Sequence, residues 1–170
     1  EMLANFAQLG SIYAEAMGVP RPRVGLLSNG EEDKKGNLQV RATLPLLRSL
    51  DLHVVGPIEP SAAMEGACDV LICDGFVGNV LIKAVEGAAE VVQHLLREHI
   101  NTSITARAGA LLMRGAFTRF QHQVRWDAHG GGVFLGTKGV MVVGHGRANA
   151  EAVRAAITSA HRAATDNLVG

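Results

Sequence analysis

Residues 69–79 read DVLICDGFVGN, and the reading of this stretch decides the fold. Val70 to Cys73 is an apolar run without helical periodicity, as expected for a strand buried on both faces. The run stops at Asp74-Gly75, a pair suited to a sharp turn. Asn79 then opens a long helical pattern, and its amide side chain can cap the first exposed backbone N–H groups. The product is a strand, a tight polar loop and a helix amino terminus. In a parallel sheet such a loop lies at the carboxyl end of the strand, where ligands bind. A helix amino terminus offers N–H donors and partial positive charge to an anion. Asp74, Gly75, Gly78 and Asn79 therefore form the first candidate site.

Upstream, residues 1 to about 17 form an amphipathic helical pattern with Leu3, Phe6, Leu9 and Ala14 on the buried side, ended by Gly18, Pro20 and Pro22. The strand Val24 to Leu27 follows, then the polar loop 29–37, a helix from about Asn37 to Ser49, a strand Leu52 to Val55, and one helical turn over Ser61 to Met64. Downstream, a helix runs from Asn79 to about Glu98, with Val80, Ala84, Val85, Ala88, Val92 and Leu95 at helical spacing. Residues 103 to about 122 form a further helical stretch. A glycine run, 130–132, leads to Val133-Phe134-Leu135, and Val140 to Val143 is the next strand. The last helix, near Asn149 to Ala164, carries Val153, Ile157, Ala160 and Ala164 on one face. Buried strands alternating with helices predict a parallel sheet with helices on both faces.

The chain's 170 residues suit one α/β domain. Hydrophobic residues make up 48% and charged ones 19%, which excludes a disordered chain. Sixteen basic and sixteen acidic side chains cancel, so composition gives nucleic-acid binding no support. Cys68 and Cys73 are the only cysteines; they lack the partners of a zinc site and suit a reducing cytoplasm. No signal peptide precedes the first helical pattern, and no apolar run approaches the ~18 residues of a membrane span. The sequence starts inside a helical pattern at Glu1, so further residues are expected upstream.

Three strands end in polar glycine loops: Asn29 to Asn37, Asp74 to Asn79, and Gly144 to Gly146. In one parallel sheet all three lie on the same edge, so they can converge on one anion. The first loop supplies Lys34 and Lys35, cations able to neutralise phosphate or a developing oxyanion, while Gly30 and Gly36 allow close backbone approach. Neither the GxxxxGK[ST] order nor a GxGxxG fingerprint is present, which argues against ATP hydrolysis and nicotinamide chemistry. Each residue also has a purely structural role open to it. Asp74 can form an Asx turn, Asn79 can serve as a helix cap, and Lys34 suits a solvated position. Glu31, Glu32 and Asp33 are a solvated charge run, of which one member can orient Lys35. His145, between two glycines, has no enclosing neighbours to explain it as core packing, which favours a functional role.

The segments SIYAEAMGVPRPRVGLLSNGEEDKKGN, CDGFVGNVLIKAVEGAAE and GGGVFLGTKGVMVVGHG resemble, in order and over nearly the whole chain, the PlsX-type phosphate acyltransferases of bacterial phospholipid synthesis. The resemblance implies acyl transfer from acyl carrier protein to inorganic phosphate. It implies a three-layer α/β sandwich with a mostly parallel sheet, as in the isocitrate/isopropylmalate dehydrogenase group, as a single domain over 1–170 with a helical excursion at about 100–126. It also implies a homodimer that associates peripherally with the membrane, with no metal and no cofactor. By motif, GEExxKGN points to Lys35 and Asn37, CDGFxGN to Asp74 and Asn79, and GHG to His145 as groups that hold phosphate and handle its proton. Asn29, Gly30, Gly36, Gly75, Gly78, Gly144 and Gly146 line the same loops as phosphate- or substrate-binding positions. The 103–126 stretch corresponds to the family's helical excursion, where Phe117, Phe120 and Trp126 meet lipid, an acyl chain or a partner subunit.

Three departures qualify the resemblance. The family's long amino-terminal portion, with its Asp-Ala-Met-Gly-Gly-Asp motif, is not in this sequence. The loop after Val55 reads GPIEPS where the family has an Asn-x-Glu-Gly-Arg pattern, and GHG continues with Arg147-Ala148 where paired serines are common. The alternatives are a phosphate acetyl- or butyryltransferase using a coenzyme A thioester, and a catalytically inactive binding or assembly module.

Overall fold

Three short strands, β1 (Arg23–Leu27), β2 (His53–Ile58) and β3 (Val70–Ile72), lie side by side in parallel in the order β2-β1-β3. The computed structural model describes residues 1–124, 131–144, 146 and 148–165. The chain falls into two compact units, Glu1–Leu81 and Ile82–Gly170, and the sheet belongs to the first. Together with the helices between its strands it makes an α/β architecture. β1, not β3, is the middle strand: Val24 and Leu26 are fully buried, whereas Val70 and Leu71 are only half-buried. The apolar run 70–73 thus forms a strand as expected, but among the described residues it pairs on one side only.

Helix α1 (Met2–Ala16) and helix α2 (Leu38–Arg48) cover the Val24–Leu26 face of the sheet. α1 buries the expected face only in part: Leu3 is buried and Leu9 and Ala14 are half-buried. Leu3, Ala4, Ala7 and Ser11 are buried, while Phe6 is exposed. The reason is close approach: a Cβ at Gly10 would stand 2.8 Å from Val70 Cγ1, so α1 meets β3 with its small residues. The helix ends where Gly18, at φ +90, turns the chain; its amide donates to Glu15 O and that of Val19 to Ala14 O. On α2, Val40, Leu44 and Leu47 follow helical spacing and meet Leu3, Ala7, Leu26 and Ile72 in one core. On the opposite face of β1, Gly25 leaves room for Ile58, whose Cδ1 would lie 2.5 Å from a Cβ there. Arg23 and Asp69 tie the amino ends of β1 and β3 together through Arg23 Nε and Nη2 at 3.0 and 2.9 Å. A short helix, α3 (Pro60–Met64), connects β2 to β3.

Helix α4 (Gly75–Asn101) starts four residues earlier than the sequence pattern suggests and crosses from the first unit into the second. Its apolar stripe forms but is not buried; Val80, Val85, Val92 and Leu95 are exposed. The expected helical stretch after residue 103 is two helices, α5 (Ile104–Leu112) and α6 (Arg114–Val124). Ser103 caps α5 by accepting from the Ala106 amide at 3.0 Å.

In the second unit β4 (Gly132–Val133) and β5 (Val142–Val143) pair antiparallel, contrary to the parallel arrangement expected for these strands. The short 134–141 connection explains this, because a parallel crossover needs about a dozen residues or more. Helix α7 (Ala150–Thr165) lies against the hairpin. It turns Ala152 and Ala163 inward and leaves Val153 and Ile157 exposed, the reverse of the expected face. Small side chains again allow the helix to approach closely. No helix among the described residues is long and apolar enough to cross a membrane.

Candidate functional site

The β1–α2 loop is built by side-chain bonds to its own backbone. Asn29 Oδ1 accepts from the Gly36 amide at 2.9 Å, and the Lys35 amide donates to Glu32 O at 2.8 Å. Gly36 sits at φ +83, where a Cβ would come within 2.6 Å of Val40 Cγ1. Only glycine fits there. Asn37 is the cap of α2, its Oδ1 accepting from the Val40 amide at 2.9 Å while its carbonyl accepts from Arg41. The Leu38 and Gln39 amides then have no acceptor among the described residues, as the first turn of a helix leaves them.

The loop's charges divide. Asp33 makes a bidentate pair with Arg48 at 2.6 and 2.8 Å, which holds its carboxyl below the usual carboxylate range. This fastens the loop to the last turn of α2, so Asp33 is not part of a free charge run. The stem of Lys35 lies over Gly30, where an added Cβ would be 2.9 Å from Lys35 Cγ and from Glu32 Oε2. Lys34 and Lys35 are exposed and make no ion pair among the described residues. No acidic side chain in the loop is paired with Lys35.

The β3–α4 loop is different. Asp74 Oδ1 accepts from the Phe76 and Val77 amides, both at 2.9 Å, so Asp74 rather than Asn79 caps the helix. Asn79 lies in the second turn of α4 and is exposed. A negative side chain therefore already occupies the N–H donors that the sequence offered to an anion. Gly78 permits α4 to pack on the strand end, since a Cβ there would be 2.8 Å from Cys73 Sγ. Gly75 has open space around its Cβ position. Cys68 and Cys73 are half-buried free thiols; burial pushes both pKa values up, which disfavours the thiolate.

Because β1 and β3 are parallel neighbours in the register Leu26↔Ile72, both loops leave the same edge of the sheet. That edge carries Asn29, Gly30, Lys35, Gly36 and Asn37 from one loop and Asp74, Gly75, Gly78 and Asn79 from the other. Gly144, which follows β5, and Gly146 are exposed positions of the second unit. His145 lies outside the described residues, as do Arg147 and Trp126. Among the described residues no group of three or more His, Cys, Asp or Glu could hold a metal ion. Ser28 escaped the sequence reading: it is buried just after β1, and its hydroxyl has no hydrogen-bond partner among the described residues. Its place next in line after the alternating Val24 and Leu26 was the available signal.

Residues 1–169 match the model of the fatty acid synthesis protein family. The chain belongs to this family. The motif resemblance that singled out Lys35, Asp74 and His145 led to the same family. Members similar to this chain include phosphate acyltransferases of three bacteria. That of Trichlorobacter lovleyi is 44% identical over 167 residues, 98% of this chain and 48% of the relative. That of Brevibacillus brevis is 44% identical over 161 residues, 94% of this chain and 48% of the relative. That of Geotalea uraniireducens is 45% identical over 160 residues, 94% of this chain and 46% of the relative. The chain thus spans about half the length of the curated relatives it matches.

Proposed function

We propose that this chain supplies the phosphate-binding edge of an enzyme that transfers a fatty acyl group from acyl carrier protein to inorganic phosphate, giving acyl phosphate for phospholipid synthesis. The observation that carries the reading is the parallel pairing of β1 with β3, which sets Lys35, unpaired among the described residues, and the Asp74 loop on one sheet edge. Kinship with phosphate acyltransferases supports the reaction class. In this mechanism Lys35 neutralises phosphate, or the oxyanion that forms as phosphate attacks the thioester carbonyl. Asn37, Asn79 and loop amides donate hydrogen bonds. Asp74 orients phosphate or accepts its proton through the oxygen not engaged in capping. The nucleophile is phosphate itself, so no acyl-enzyme is required; the C–S bond of the thioester breaks as the new C–O bond is kept, and the carrier protein's thiol leaves with a proton.

The finer fold assignment, a three-layer sandwich of the isocitrate/isopropylmalate dehydrogenase type forming one domain over 1–170, belongs to the same proposal. So do the cytoplasmic location, the homodimer and peripheral membrane contact. Exposed Ile104, Leu111 and Leu112 near Arg107 and Arg114 support α5 and α6 as the segment that meets lipid or a partner subunit. Liposome flotation of Phe117→Asp tests the lipid option; unchanged binding rejects insertion.

The test of the reaction is acyl phosphate formation from acyl carrier protein thioester and phosphate, with the coenzyme A thioester as competing donor. Preference for the carrier protein supports the proposal. Preference for coenzyme A identifies a phosphate acetyl- or butyryltransferase instead, and no product with either donor identifies a binding or assembly module.

A further inference from the structure

We propose that the amino end of α2 seats the phosphate group and that Ser28 is the buried hydroxyl that positions it, an inference that rests on the phosphate reading above. The Ser28 amide donates to Ile58 O at 2.9 Å, which fixes its backbone at the carboxyl end of β1. The residue is 8% exposed, and its Oγ is inaccessible to solvent and without a hydrogen-bond partner among the described residues. What Oγ faces is the turn that opens α2: a Cβ at Gly36 would lie 3.1 Å from it. Gly36 immediately precedes Asn37, the helix cap. The orphan hydroxyl thus abuts the amino end of an 11-residue helix.

A buried hydroxyl with no partner is unfavourable, and alanine would fill the same place without that penalty. A ligand oxygen would supply the missing acceptor, and everything else at this turn suits an anion. The Leu38 and Gln39 amides have no acceptor among the described residues, and the helix dipole adds partial positive charge. Lys35, one residue before Gly36, is unpaired among the described residues. Gly36 itself has no side chain, so a ligand can approach the backbone beside Oγ. The amino end of α4 offers the opposite environment, because the Asp74 carboxylate already holds its donors. Of the two helix ends at this sheet edge, α2 is the one built for phosphate.

The experiment is calorimetric titration of the chain with inorganic phosphate, paired with melting curves recorded without phosphate. Ser28→Ala is expected to melt no lower than the wild type yet bind phosphate about tenfold or more weakly, as loss of one hydrogen bond to a charged group implies. Should Ser28→Ala fail to fold, Ser28→Cys keeps the volume with a far weaker donor and carries the same comparison. Equal affinity for wild type and Ser28 variants, with binding lost in Lys35→Ala, overturns the role of Ser28 while the phosphate reading stands. Absence of phosphate binding by the wild type overturns both.

Discussion

The Gly36 amide donates to Asn29 Oδ1 at 2.9 Å and closes the β1–α2 loop on itself. Seven residues separate the two partners, and this bond holds Lys35 and the cap of α2 in one arrangement before any ligand arrives. Asn29→Ala is expected to destabilise the loop by about 0.5–1.5 kcal/mol, the usual net worth of one such bond. Faster hydrogen exchange at the Gly36 amide, with little change at Leu26, is the predicted reading.

Gly36→Ala meets two obstacles at once. Its backbone is in the left-handed region at φ +83, and the added Cβ would stand 2.6 Å from Val40 Cγ1. A loss of about 1–3 kcal/mol in denaturant-induced unfolding is expected. Gly75→Ala, where the Cβ position is open, is the control that leaves stability nearly unchanged.

Asp74 combines a structural role with the proposed chemical one, and two substitutions separate them. Asp74→Ala removes the cap on the Phe76 and Val77 amides and is expected to cost about 0.5–2 kcal/mol of stability. Asp74→Asn retains a side-chain oxygen for capping but cannot take a proton. It is expected to stay folded and to lower acyl phosphate formation about 10²-fold or more. Equal activity for Asp74→Asn and wild type would restrict Asp74 to capping.

The Arg23–Asp69 pair gives a pH dependence of stability. The hydrogen bond from the Arg23 guanidinium, followed by that from the Arg23 amide, lowers the Asp69 pKa from its ordinary 3.8 to about 2. A carboxyl depressed in the folded state stabilises the protein above its unfolded pKa, and this stabilisation is lost as pH falls through the folded value. The stability difference between wild type and Asp69→Asn should therefore be constant from about neutral pH down to about pH 4 and shrink between there and about pH 2. Asp33, lowered by Arg48, contributes in the same direction. Urea unfolding at stepped pH measures both, and a difference unchanged across that acid window would contradict the assignment.

Much of this was legible in the sequence for physical reasons. Buried strands such as Val24–Leu27 announce themselves by composition, and the helix expected from about Asn37 forms at Leu38–Arg48, with Asn37 as its cap. What failed was choice of face. On α1 Phe6 is exposed although Leu3 is buried as expected, and on α7 Val153 and Ile157 are exposed while Ala152 and Ala163 are buried, because close helix packing selects small side chains and a hydrophobicity pattern cannot see that. The start of α4 was misplaced because Asp74 and Asn79 are both competent caps, and only the observed bonds to Phe76 and Val77 distinguish them. The antiparallel pairing of β4 and β5 was within reach of the sequence, because the short connection between the two apolar runs leaves no room for a parallel crossover. Ser28 closes the strand segment in the sequence, and only the structure shows its hydroxyl buried and without a hydrogen-bond partner among the described residues.

The central claim is that phosphate binds where β1 meets α2. Amide chemical shifts followed by NMR during titration of the chain with inorganic phosphate test it most directly. The account predicts that the largest changes fall on Gly36, Leu38 and Gln39 and disappear in Lys35→Ala. Changes centred on Phe76 and Val77 at the start of α4, or none at all, would contradict it.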